Sequence, residues 1–120
     1  MADPIRRLRG SAAGRNRGSV YRDLVWTVAT AADRSQGVRG QTQQCLAALD
    51  KGLAEGGSDR TRILSAQIFL ADMATKSEMD EVWNAWIGPD PEHWPQRACV
   101  GAVLAGKCQV EIILLAAAAT

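Results

Sequence analysis

From Arg62 to Met73 the sequence alternates, with Leu64, Ala66, Ile68 and Leu70 on one side and Ile63, Ser65, Gln67 and Phe69 on the other. A period of two marks a strand, because successive side chains leave a pleated backbone in opposite directions. Both sides of this strand carry large apolar groups, so both have to be covered. That requirement constrains the fold more than any other feature of the chain.

Two helical patterns are available to do the covering. Leu46, Leu49 and Leu53 recur at three and four residues, with Thr42 and Cys45 on the same stripe, and Gly56-Gly57 ends the pattern. Met79, Val82, Trp83 and Trp86 follow Thr75-Lys-Ser-Glu78, which reads as a capping box, and Gly88-Pro89 stops this second helix. Ser19 to Ala29 reads as two short strands joined by a tight turn at Arg22-Asp23. Residues 31–40 and 90–95 read as loops. Arg97 to Leu104 and Gln109 to Leu115 read as two further strands joined by Ala105-Gly106-Lys107. The expected order is β-β-α-β-α-β-β, an α+β fold. Both helices lie between strands, so they cover one face of a mixed sheet.

Strand parity then assigns the faces. If Leu64, Ala66, Ile68 and Leu70 meet the helices, the matching sets are Ala98, Val100, Ala102 and Leu104, then Val110, Ile112 and Leu114. The other face shows Ile63, Ser65, Gln67 and Phe69; Arg97, Cys99, Gly101 and Val103; and Glu111, Ile113 and Leu115. That face is too apolar for water and has no helix left to cover it. A further copy of the chain is the expected cover. Parity puts Arg97 and Glu111 together on it, on consecutive strands, at or near a subunit interface. Such a pair is either a functional constellation or a plain ion pair that fixes oligomer register.

A chain of 120 residues supports one core. Its net charge of +1 hides an asymmetry, since residues 1–22 hold six arginines against Asp3 alone. Residues 1–18, broken by glycine and serine, are expected to form a basic flexible arm, and residues 19–120 a single domain. The arm carries no aromatic residue to stack on bases, so a solvated terminus is a better reading than nucleic-acid contact. The segment after Met1 lacks an apolar signal region, and the longest apolar run, Ile112 to Ala119, is too short to span a membrane. A cytoplasmic protein with free thiols at Cys45, Cys99 and Cys108 is expected. With His93 the one histidine, no zinc site or other metal is expected, and no cofactor. No P-loop, GxGxxG or Ser–His–Asp pattern occurs. Trp83 and Trp86 share a helical stripe and read as core, His93 as a solvated loop residue, and Trp94 as a residue at the rim of the cleft before Arg97.

Five stretches, taken in order, resemble the Rid family (RidA, also called YjgF), and most closely its YoaB-like members. They are Gln41-Thr42 with Leu46 and Leu49; Ile63-Leu-Ser-Ala-Gln-Ile-Phe-Leu-Ala-Asp72; Met79 with Trp83-Asn-Ala-Trp86; Pro95-Gln-Arg97-Ala-Cys99-Val; and Val110-Glu111-Ile112. The resemblance spans about residues 19–119. It implies a chorismate-mutase-like subunit and a homotrimer whose sheets surround a central barrel, with three clefts between subunits. It also implies hydrolysis of reactive enamines and imines, such as 2-aminoacrylate, to 2-keto acids and ammonia. The alternative is a trimeric module that binds a small carboxylate or keto acid without turnover.

The resemblance places the substrate-carboxylate arginine on Arg97, whose planar guanidinium grips a carboxylate through two parallel hydrogen bonds. It places the water-orienting glutamate on Glu111. Cys99 falls where the backbone lines the pocket, although a small buried hydrophobe is its commoner fate. Ala29 falls where a glycine backbone approaches the ligand. The chain also departs from the family pattern. Val28-Ala29-Thr30 replaces a Ser-Gly-Gln-like turn, Arg15 lies near the place of a pocket-closing tyrosine, and Asp80 stands where an asparagine opens the second helix.

Overall fold

The computed structural model describes residues 2–119. Eight main elements run β1 (Ile5–Leu8), β2 (Gly18–Tyr21), β3 (Leu24–Thr30), α1 (Val38–Glu55), β4 (Ile63–Leu70), α2 (Lys76–Ile87), β5 (Gln96–Gly101) and β6 (Val110–Ala117). The six strands form one sheet in the order β1-β2-β3-β6-β4-β5. All pairs are antiparallel except β4–β5. Both helices pack on one face of this mixed sheet, as the order of elements requires. No helix among the described residues is long and apolar enough to cross a membrane.

The core lies between that face and the helices. Leu49 and Leu53 of α1 and Met79 of α2 meet Ile68, Leu70, Ile112 and Leu114, all without solvent exposure to speak of. Burying each such side chain contributes roughly 1.5–3 kcal/mol. Helix α1 ends where Gly57 takes φ +83°, and α2 ends at Gly88 with φ +85°, a region that glycine enters without a Cβ clash. The expected capping box at Thr75 does not form. Thr75 makes no side-chain cap, and its hydroxyl instead donates to the Asp72 carbonyl at 2.6 Å.

The basic N-terminal segment is not simply an arm. Ile5–Leu8 is a strand paired with Gly18–Tyr21, which extends the sheet by one strand beyond the expected order. Two of the six arginines up to residue 22 find acidic partners: Arg17 donates to Glu55 at 2.6 Å and Arg22 to Asp3 at 2.7 Å. Backbone pairing decides the structure here, and the arginine count gave no sign of it.

Two parity assignments are also corrected. A bulge between Ile63 and Ser65 leaves Leu64 as the extra residue. One inserted residue reverses the side-chain sense, so Ile63 is buried in the core and Leu64 is exposed. On β5 the assignment is inverted throughout. Arg97, Cys99 and Gly101 register with Ala66, Ile68 and Leu70 on the helix-covered face, and Ala98 and Val100 point to the open face. β5 is an edge strand with apolar residues on both sides. The long stem of Arg97 covers the core margin there while its charged end stays at the boundary. Nor do β5 and β6 form a hairpin, because β4 lies between them.

The open face therefore carries Trp26, Val28, Phe69, Val100, Ile113 and Leu115, with Trp26, Val28 and Val100 well exposed. Its membership has changed, but it is still apolar and has no helix over it.

Candidate functional site

Arg97 sits near the start of β5, an edge strand, and reaches back over α2. Its Nη2 donates to Asp80 Oδ1 at 2.6 Å, and its guanidinium carbon lies 5.5 Å from the centre of the Trp83 ring. Trp83 is buried and packs on Trp86 at 5.3 Å between centroids. The other oxygen of Asp80 accepts from Lys76 Nζ at 2.8 Å, one helical turn earlier. Burial works against the Asp80 charge, but the hydrogen bonds from Lys76 and Arg97 outweigh it and hold the carboxyl below its ordinary range. The Arg97 side chain keeps 20% of its surface accessible. It is thus a fixed cation whose end still meets solvent.

A guanidinium has five N–H groups arranged as two forks that share Nη2. Asp80 takes a single hydrogen of Nη2. Whichever hydrogen that is, one complete fork makes no hydrogen bond among the described residues.

Cys99 lies two residues on, on the same face, half-buried against the core. Burial pushes its thiol above the ordinary value, against the pull of Arg97 and Lys76. Cys45, on the buried face of α1, is pushed up to about 12, chiefly by desolvation. Neither is an activated thiolate.

Glu111 does not join Arg97 within the subunit. It pairs with Thr30 on one side and Phe69 on the other, which puts it on the open face. Arg97 is on the covered face, with β4 between the two strands. Ala29 also faces the core, 8% exposed, in a row with Ile112, Ile68 and Cys99, and its carbonyl accepts from the Cys45 thiol at 3.6 Å. Val28 to Thr30 are strand residues and not a turn. The four expected residues therefore divide, with Arg97, Cys99 and Ala29 on one face and Glu111 on the other.

Glu111 has a different neighbourhood. Ile113, two residues on and on the same face, pairs with Val28 at a groove of about 550 Å³ that is also lined by Arg7, Arg15 and Trp26. His93 pairs with Asp90 at 3.7 Å in the loop before β5, and Trp94 donates to the Gly88 carbonyl at 2.8 Å.

One positioning residue carried no chemical signal in the sequence. Gln41 is fully buried. Its amide nitrogen donates to the carbonyls of Gln36 at 2.8 Å and Lys107 at 3.0 Å, and its oxygen accepts from the Gln109 amide at 2.8 Å. These bonds tie the start of α1 to the segment that leads into Glu111.

The family described as endoribonuclease L-PSP matches residues 27–118 of this chain. A RutC family protein of Haemophilus ducreyi is 42% identical over 86 residues, which is 71% of this chain and 72% of that protein. The RutC family protein YoaB of Escherichia coli is 41% identical over 78 residues, 64% of this chain and 67% of its own length. Among solved structures, a YjgF family member from Neisseria meningitidis superposes with a TM-score of 0.89 at 33% identity, over 98% of this chain and 97% of that one.

Proposed function

The chain belongs to the endoribonuclease L-PSP (YjgF/Rid) family, and on that footing we propose that it hydrolyses reactive enamines and imines of the 2-aminoacrylate type. The products are 2-keto acids and ammonia. The observation that carries this reading is Arg97, hydrogen-bonded to Asp80 and set beside the Trp83 ring, with one fork that makes no hydrogen bond. A small 2-imino acid presents the carboxylate that such a fork grips.

The reaction needs little beyond orientation. The enamine takes a proton at its terminal carbon and becomes the imine. Water adds to the imine carbon while a carboxylate takes one of its protons and relays it to the nitrogen; the remaining hydroxyl proton follows as the carbonyl forms, the carbon–nitrogen bond breaks and ammonia leaves. Glu111 is the carboxylate proposed for the water. Since Arg97 and Glu111 occupy opposite faces of one sheet, a cleft that uses both is formed between subunits. One copy supplies the β5 edge with Arg97 and Cys99. Its neighbour supplies the open face with Glu111 and the groove beside Arg15. This matches a homotrimer whose apolar open faces, from Trp26 to Val100, are buried together. The backbone near Ala29 is proposed to border the same cleft.

A second reading, a trimer that binds a small carboxylate or keto acid without turnover, is favoured by one observation. Ala29 turns its methyl into the core of a regular strand, where the resemblance leads one to expect a glycine turn open to the ligand. A ribonuclease role, which the family description names, has less support, because His93 is the one histidine and it is paired with Asp90.

The two main readings separate in one experiment. 2-Aminoacrylate is generated beside the purified protein by a pyridoxal-phosphate lyase, and ammonia release is followed. Acceleration above the spontaneous rate supports the deaminase. Binding of pyruvate without acceleration supports the module.

A further inference from the structure

We infer that Asp80 is a positioning residue that holds Arg97 in its open-fork orientation and, through its charge, sets how tightly the site holds a carboxylate. The inference rests on the proposed reading of Arg97 as the carboxylate grip. Among the described residues, the one side-chain hydrogen bond that the Arg97 guanidinium donates goes to Asp80 Oδ1. The Trp83 ring holds one flat side of it but does not set its rotation. Asp80 also separates two cations, because its second oxygen is held by Lys76. Without that carboxylate, Lys76 and Arg97 would repel each other and Arg97 would be free to swing toward solvent.

The charge has a second effect. Lys76, Asp80 and Arg97 together carry one net positive charge. A ligand carboxylate on the open fork of Arg97 would lie beside the Asp80 carboxylate, and like charges at that range oppose each other. Substrate imine and product keto acid share the same carboxylate. Whatever weakens one weakens the other, so Asp80 acts as uniform binding, on KM and on product affinity alike, and not on the chemical step. The acid at this position, where the family resemblance leads one to expect an amide, keeps a site for a small keto acid from being held closed by its own product.

Asp80→Asn and Asp80→Ala separate the two roles. Asparagine keeps an oxygen for Arg97 but removes the charge, whereas alanine removes both. Two readouts are used: the Arg97 Nη2–H signal, the group that donates to Asp80, in low-temperature nitrogen-15 NMR of the free protein, and pyruvate binding by calorimetry. In Asp80→Asn the signal should persist while pyruvate binds about threefold to tenfold tighter, with KM lowered by the same factor and kcat not raised. In Asp80→Ala the signal should be lost to exchange and pyruvate should bind more weakly than to the wild type. An Arg97 signal as sharp in Asp80→Ala as in the wild type would overturn the positioning role. Pyruvate binding by Asp80→Asn no tighter than by the wild type would overturn the charge role. A wild type that binds pyruvate but releases no ammonia defeats the deaminase reading alone, and leaves both Asp80 readouts standing.

Discussion

The Arg97 guanidinium and the Asp80 carboxylate meet at 2.6 Å across the boundary between β5 and α2. This contact joins a sheet edge to a helix and turns a long, adaptable side chain into a fixed one. It also gives the site a pH dependence with a defined sign. The folded-state pKa of Asp80 lies below its ordinary value. The stability this group contributes is therefore present in full above the unfolded value and is lost as the pH falls through the folded one. Urea midpoints of the wild type and Asp80→Asn should differ near neutral pH and converge as the pH falls below the ordinary carboxylate range. A gap that widens on acidification would contradict this.

The division of Arg97 and Glu111 between two faces predicts complementation between subunits. Arg97→Ala and Glu111→Gln should each be inactive alone. Trimers formed from an equal mixture contain clefts in which the intact Arg97 comes from one variant and the intact Glu111 from the other. Random assembly should restore about a quarter of wild-type activity. No recovery in verified mixed trimers would place both groups in one subunit's site.

Gln41 is expected to matter for stability out of proportion to its chemistry. Gln41→Leu leaves the Gln109 amide and the Lys107 carbonyl without partners in a buried place, and each such orphan costs about 1–3 kcal/mol. Thermal melts should show a Tm lowered by several degrees. Hydrogen exchange should show faster opening of the segment before β6. An unchanged melt would show that water replaces the glutamine.

The open face predicts the assembly. Light scattering should give a mass near three times 12.9 kDa. Leu115→Arg, placed beside Trp26 in the middle of that face, should yield monomers that retain their helix content. Burying a few hundred Å² of apolar surface per subunit is worth several kcal/mol at ~25 cal/mol per Å², before association costs. A wild type that remains monomeric at high concentration would remove the basis for a shared cleft.

The sequence was most legible where one period dominated. The α1 stripe of Leu46, Leu49 and Leu53 and the inner residues Ala66, Ile68 and Leu70 stand where alternation and helical spacing put them. It was least legible at Leu64 and on β5. A bulge is a backbone insertion with no residue type of its own, and an edge strand apolar on both sides gives alternation nothing to choose between. For that reason Arg97 and Glu111 were expected on one face and lie on two. The strand at Ile5–Leu8 was hidden by its charges, because the backbone pairs regardless of the arginines it carries. Asp80 was visible as a departure from the resemblance, but its contact with Arg97 depends on β5 running parallel to β4 past the start of α2.

The central claim is that Arg97 holds the carboxylate of a reactive imine while water displaces its nitrogen. The most direct measurement is the rate of ammonia release from freshly generated 2-aminoacrylate, compared for the wild type, Arg97→Lys and Arg97→Ala. The wild type should accelerate release. Arg97→Ala should fall to the spontaneous rate with its trimer intact, losing roughly 1.5–3 kcal/mol or more of charge-assisted binding. Arg97→Lys should fail with it, because a point charge does not reproduce the fork. Full activity in Arg97→Ala, or a wild type no faster than buffer, would contradict the account.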